Sequence, residues 1–185
     1  MNAIIGGKYT AYAVGDQVTV GGESFYVIKA SGTNEEKVTL LAEKNLDISA
    51  LTQSDSADIV DFASECYWAS IEGITYPYDL NGLPTLADTD AIAIARAYGI
   101  KKGGTGRLMT IDEAVSLGAD DSSYSCQNCP DWLKSKNFWL SIAANAESVR
   151  RFAGTYGSMA SGKVGWGADH YGIRPVIEIS KSLIL

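Results

Sequence analysis

The sequence predicts an α+β domain with an N-terminal β-meander, two main helices and a Gly-rich C-terminal region closed by a terminal strand. Three signals carry that reading. Gly21 and Gly22 separate two β-branched or aromatic runs, and paired glycines supply the positive backbone angles of a tight hairpin. Thr110 stands three residues before Glu113, the spacing of a capping box at a helix start. Residues 173–179 form a run rich in Ile and Val that is expected inside the sheet.

Each element follows from local pattern. Val18, Thr19 and Val20, then Phe25, Tyr26, Val27 and Ile28, give the hairpin, and Val38, Thr39, Leu40, Leu41 and Ala42 give a third strand after a polar run. Residues 14–46 are therefore read as a structural meander. From 45 to 81 periodicity is weak. Asp55, Asp58 and Asp61 lack the glycine and distal glutamate of a calcium loop and are read as a solvated helix face. A short helix is expected at 88–98, with Asp88 as N-cap and Gly99 as its stop. The stretch from Lys101 through Gly106 reads as a flexible loop. No Lys-Ser/Thr pair follows its glycines, so nucleotide binding is not expected. The second helix, 110–117, should stop near Gly118, and a polar, turn-rich segment then leads to Trp132, Leu133, Phe138, Trp139 and Leu140 as core anchors.

Composition bounds the function. With 185 residues, 46% of them hydrophobic, the chain can bury one good core, so one domain over 1–185 is the default. A net charge of −7 repels phosphate backbones, and no Lys/Arg cluster longer than two offsets it, so nucleic acid is not an expected partner. The first residues show neither a basic region nor an apolar run of signal-peptide length, and no later stretch approaches a membrane span. Cys126 and Cys129 form one CxxC without a second, and His170, the only histidine, adds just one more metal ligand. No metal or other cofactor is expected; the pair is read as reduced thiols or as a local bond between Cys126 and Cys129. His170 lies in a Gly-rich stretch with no GxSxG elbow, which leaves an enzyme reading without support.

The C-terminal stretch 138–179 encloses a different kind of sequence. Its apolar ends frame a middle of small residues in which Arg150, Arg151, Tyr156, Met159, Trp166 and His170 follow no sustained period, so irregular surface loops on a rigid frame are expected.

The order of the segments VGDQVTVGGESFYVI, VTLLAEKNL, GRLMTIDEAVSLG, the paired CPDWL and FWLS, and YGIRPVIEI resembles a group of bacterial and phage proteins with a C-type-lectin-like fold, in the branch related to formylglycine-generating enzyme. Gly172, Ile173, Arg174, Pro175 and Val176 are the most specific match, and the resemblance spans 14–179. Enzyme members of that branch carry cysteines near the C-terminus, whereas this chain has none after Cys129. Other members are the variable proteins of diversity-generating retroelements, in which a reverse-transcriptase system rewrites codons in the last segment and the fold displays the altered side chains.

The resemblance implies a ligand-displaying segment at 138–174. It implies Ala144, Asn145, Arg150, Tyr156, Ser158, Ser161, Trp166, Asp169 and His170 as ligand-binding residues, with Trp139 and Arg174 as structural anchors. Arg174, with five donors in a planar fork, is expected to pin several loop carbonyls. Glu147, Met159, Lys163 and Trp166 do not arise from the asparagine-type codons that such systems mutate, so they are fixed positions or come from other codons. The implied ligand is a protein or surface receptor, and the implied setting is a virion or a larger surface protein. Two other readings stand beside it: a non-diversified structural virion or surface protein, and an enzyme related to formylglycine-generating enzyme. Calcium-dependent sugar binding is not expected, because neither a Glu-Pro-Asn nor a Gln-Pro-Asp signature occurs.

Overall fold

Gly21 and Gly22 adopt φ of 56° and 81°, the left-handed pair that folds β1 (Gln17–Val20) back onto β2 (Glu23–Lys29). The computed structural model describes residues 9–46, 90–145, 148–153, 157–162 and 172–185. β3 (Lys37–Ala42) completes the meander, and β8 (Val176–Ser180) and β4 (Thr105–Arg107) extend it into a five-stranded antiparallel sheet of order β1-β2-β3-β8-β4. The C-terminal strand thus lies in the interior of the sheet. It begins at Val176 rather than at residue 173: Pro175 has no N–H to donate, and the preceding backbone instead accepts bonds from Leu46 and Ala42 at Ile173 and Pro175. Leu185 donates to Thr19 and Ile184 bridges Val20, so the chain end covers the β1 edge.

Both sheet faces are buried. On one, the Phe25 ring lies 6.3 Å from that of Tyr98 on α1 (Asp90–Lys101). On the other, Ile28, Leu41 and Val176 pack with Met109, Ala114, Leu133, Phe138, Leu140 and Met159. These come from α2 (Ile111–Ser116), α3 (Asp131–Lys134), the segments beside them, and a second sheet described below. Tyr26 stacks on Trp132 at 4.8 Å and 13° on the border of this core.

Gly99 does not stop α1, which continues to Lys101. A Cβ at Gly99 would lie 2.1 Å from the Gly106 nitrogen, and one at Gly106 would lie 1.9 Å from the Ala95 carbonyl oxygen. These two glycines let helix backbone rest directly on strand backbone. The left-handed residue that ends the helix is Gly103, at φ 84°, with Gly104 N–H donating to Gly99 and Gly103 N–H to Ile100 in a Schellman arrangement. Lys101 through Gly106 is accordingly a helix cap and a strand rather than a flexible loop. Lys102 is held by Glu23 at 2.5 Å, Tyr98 donates to the other Glu23 oxygen at 2.5 Å, and the Lys102 ammonium sits 5.4 Å from the Tyr98 ring centre. Asp88 and the residues 47–89, including Asp55, Asp58 and Asp61, lie outside the described residues.

The capping box forms. Thr110 Oγ1 accepts from Glu113 N–H at 3.1 Å, and a Glu113 carboxylate oxygen accepts from Thr110 N–H at 2.9 Å. Gly118, at φ 101°, ends α2 as expected, with Ala119 and Gly118 donating to Ala114 and Val115. Glu113 also takes a two-pronged ion pair from Arg107, at 2.7 and 2.5 Å. Burial raises the Glu113 carboxyl, but Arg107 and the Thr110 groups outweigh it and hold the carboxyl below its ordinary range.

Two predictions follow from these contacts. Gly99→Ala, which would stabilise an exposed helix by roughly 1 kcal/mol, should instead destabilise by about 2 kcal/mol or more, read from urea unfolding, because β4 must move away. Glu113 has a folded pKa below its unfolded value of about 4.3, so its contribution is present above that pH and is lost as pH falls through the folded value. The stability gap between the wild type and Glu113→Gln should therefore be wide at pH 7 and shrink on acidification; a gap independent of pH would mean that the carboxylate charge contributes nothing.

Candidate functional site

The region implied to display ligand-binding residues is built on strands. β5 (Asn137–Asn145), β6 (Ser148–Ala153) and β7 (Ser158–Gly162) form a three-stranded antiparallel sheet in that order. Irregular loops were expected from the lack of alternation, and this part of the segment is corrected. Ladder bonds use backbone groups, so a run of Ser, Ala, Arg and Gly pairs as well as an apolar one once a hairpin sets its register. The β5–β6 register shifts between Trp139 and Ala143 and again before Asn145, whereas β6 and β7 stay in step from Val149–Gly162 to Ala153–Ser158.

Backbone bonds fix the sheet at both edges. Trp139 donates to Gly172 at 3.1 Å, Gly172 to Asn137 at 3.0 Å, and Ser141 to Met109 at 2.9 Å. At the other edge Met159 donates to Tyr124 at 2.8 Å, and Cys126 to Gly157 at 3.1 Å. Phe138, Leu140 and Met159 enter the core, and Trp139 is buried. Asn45 braces the Gly172 contact: its Nδ2 donates at 3.0 Å to the Asn137 carbonyl that also receives Gly172 N–H. A Cβ at residue 172 would lie 2.3 Å from Asn45 Nδ2, so only glycine fits there.

Arg174 holds this assembly. It is fully buried and donates from Nε to Ala42 O at 2.7 Å, from Nη1 to Leu133 O at 3.2 Å and from Nη2 to Trp132 O at 3.1 Å. Its guanidinium carbon lies 5.3 Å from the Phe138 ring centre. Arg174 was expected to pin loop carbonyls; the three it reaches belong instead to β3 and α3.

Of the nine implied binding residues, Ala144 and Asn145 stand near the end of β5, Arg150 in β6, and Ser158 and Ser161 in β7. Arg150 and Ser161 are direct cross-strand partners. Ser158 is half-buried, pairs with Ala153 and bridges Ser125, three rungs from the Arg150–Ser161 pair. Tyr156, Trp166, Asp169 and His170 lie outside the described residues. A groove of about 400 Å³ lined by residues including Lys29, Ser31, Thr39 and Glu178 contains none of the nine.

Sequence reasoning missed the bracing role of Asn45 and the docking of β5 on Met109. Neither has a local signal, because both act on partners far away in the chain. Cys126 and Cys129 are free, buried thiols. Burial pushes both up, Cys129 to about 12 with Cys126 beside it adding to the rise. Among the described residues no group of three or more His, Cys, Asp or Glu is placed to hold a metal ion, and no helix is long and apolar enough to cross a membrane.

No protein-family model, curated protein or solved structure matches the chain.

The Arg174 node makes a direct prediction. Arg174→Lys keeps the charge but cannot reach three separate carbonyls from one planar group, so it should cost at least about 3 kcal/mol in denaturant unfolding. A variant as stable as the wild type would show those bonds to be incidental.

Proposed function

We propose that this chain binds a protein or surface-receptor ligand through the segment 138–174, displayed on a C-type-lectin-like scaffold in the manner of the variable proteins of diversity-generating retroelements. The observation that carries the reading is the anchorage of that segment at both ends, with Trp139 and Gly172 bonded to each other and Arg174 buried just beyond. Between these points the strands are rich in Ser, Ala and Gly and are paired through backbone groups. Such pairing does not depend on which side chains the strands carry, so side chains can change while the frame holds.

Met159 supports the same reading. It is one of the residues that asparagine-type codons do not yield on mutation, and it is buried, where a fixed residue belongs. The Gly-Ile-Arg-Pro-Val run, on which the resemblance rests most, is itself the anchor: Gly172 admits Asn45, and Arg174 ties α3 to β3. Arg150 and the aromatics implied in the segment are of the residue types enriched at binding hot spots.

Two mutant sets test the proposal. If the segment displays its side chains as proposed, substituting Ala144, Asn145, Arg150, Tyr156, Ser161, Trp166, Asp169 and His170 together should leave Tm within a few degrees, since substitution of a displayed residue shifts stability by within about 0.5 kcal/mol. Trp139→Ala or Ile177→Ala should each cost on the order of 2–5 kcal/mol. A library randomised at the first set should then yield variants that bind different immobilised proteins. If the multiply substituted chain unfolds many degrees early, the segment is core and the display reading falls.

A further inference from the structure

Two buried nucleophiles have no part in the proposed display. Cys126 and Cys129 are 0% and 3% exposed, both free, and packed with Phe138, Leu140 and Met159. Cys129 N–H donates to the Cys126 carbonyl at 3.1 Å, which closes a four-residue turn. A turn of this kind holds its first and last Cα atoms within about 7 Å, the separation that disulfides bridge.

The turn is also a junction. On its N-terminal side Tyr124 and Cys126 are bonded to Met159 and Gly157 at the β7 edge. In its middle the Asn128 carbonyl oxygen lies 2.6 Å from where a Cβ on Gly118 would be, hard against the end of α2. On its C-terminal side Cys129 leads through Pro130 into α3, whose Trp132 and Leu133 carbonyls receive Arg174. A crosslink inside this turn fixes the distance between the β7 edge and the Arg174 node.

We infer that Cys126 and Cys129 are a redox-modification site, a dithiol that closes to a disulfide and clips β7 to the frame. The co-reactant is a small-molecule disulfide, such as oxidised glutathione. One cysteine, as thiolate, attacks a sulfur of that disulfide, forms a mixed disulfide and releases one thiol. The second gives its proton to solvent and attacks the protein-bound sulfur of the mixed disulfide, expelling the second thiol. The cysteine pair loses two electrons and two protons, and the co-reactant becomes two thiols.

The nearby Lys134 ammonium favours the thiolate of either cysteine, so whichever ionises first attacks. The packing that slows closure also shields the finished bond from reductants. This clip goes beyond the display reading and stands whether or not the sheet binds a ligand.

The test uses the wild-type chain, so no core variant need fold. After incubation with oxidised glutathione the protein is denatured, alkylated and mapped by mass spectrometry. The peptide holding Cys126 and Cys129 should be two hydrogens lighter and carry no alkyl group or glutathione. The oxidised protein should melt several degrees higher than the reduced one, and Met159 amide exchange should slow by about tenfold, because the closed turn can no longer open freely. Full alkylation of both cysteines, a lasting single glutathione adduct, or an oxidised form that melts no higher than the reduced one would each overturn the inference.

Discussion

A single buried guanidinium sets the terms for the rest of this structure. Arg174 reaches β3 through Ala42, α3 through Trp132 and Leu133, and β5 through the Phe138 ring. Burying a cation costs several kcal/mol unless its donors are met, and main-chain carbonyls meet them here without adding a second buried charge. Arginine suits the place because its donors lie in one plane at fixed angles, so the direction of each carbonyl is fixed by the side chain. The chain on either side answers that demand. Pro175 withholds an N–H where the ladder has not begun, and Gly172 leaves room for Asn45 against the β5 backbone.

The same economy of volume recurs on the opposite sheet face. Gly99 and Gly106 bring α1 onto β4 until backbone touches backbone, and the Glu23, Tyr98 and Lys102 contacts latch the helix end to β2 beside the first hairpin. With both faces covered, β8 is an interior strand, paired with β3 and β4, that α1 packs against and that follows directly on the Arg174 node. The second sheet inherits its position from this frame. Its start is held by Met109 and Gly172 and its far edge by Tyr124 and Cys126. Among its described side chains, Phe138, Trp139, Leu140 and Met159 are the apolar anchors.

This division explains what could be read in the sequence. The Gly21–Gly22 hairpin, the Thr110 to Glu113 capping box and the Gly118 stop are local devices whose partners lie within a few residues, and each is where its pattern places it. Arg174 was singled out through the resemblance, whose most specific match contains it, and through the five donors of its planar fork. β6 and β7 were not legible, since their pairing is a backbone property and their composition carries no period of two. Gly99 was misread for a related reason: a glycine near a helix end looks like a stop, and its true partner, Gly106, is brought beside it only by the turn at Gly103. For the candidate site, the anchors were legible and the strand positions of Arg150, Ser158 and Ser161 were not.

For the display function we propose, such a layout has a physical advantage: backbone order comes from Met109, Gly172 and Arg174, which lie outside the strands β5, β6 and β7, so little of it rests on the side chains those strands carry. The central claim is that one cooperative frame holds both sheets. Native-state hydrogen exchange tests it most directly. The amides of Trp139 and Gly172, which cross-link β5 to the closing segment, should exchange only through the same global unfolding that exposes Leu40 and Ile177 in the five-stranded sheet, with equal opening free energies and equal denaturant dependence. Exchange of Trp139 and Gly172 through a much smaller local opening, while Leu40 and Ile177 stay protected, would show that the second sheet is a loosely attached flap and that the Arg174 node does not bind the two together.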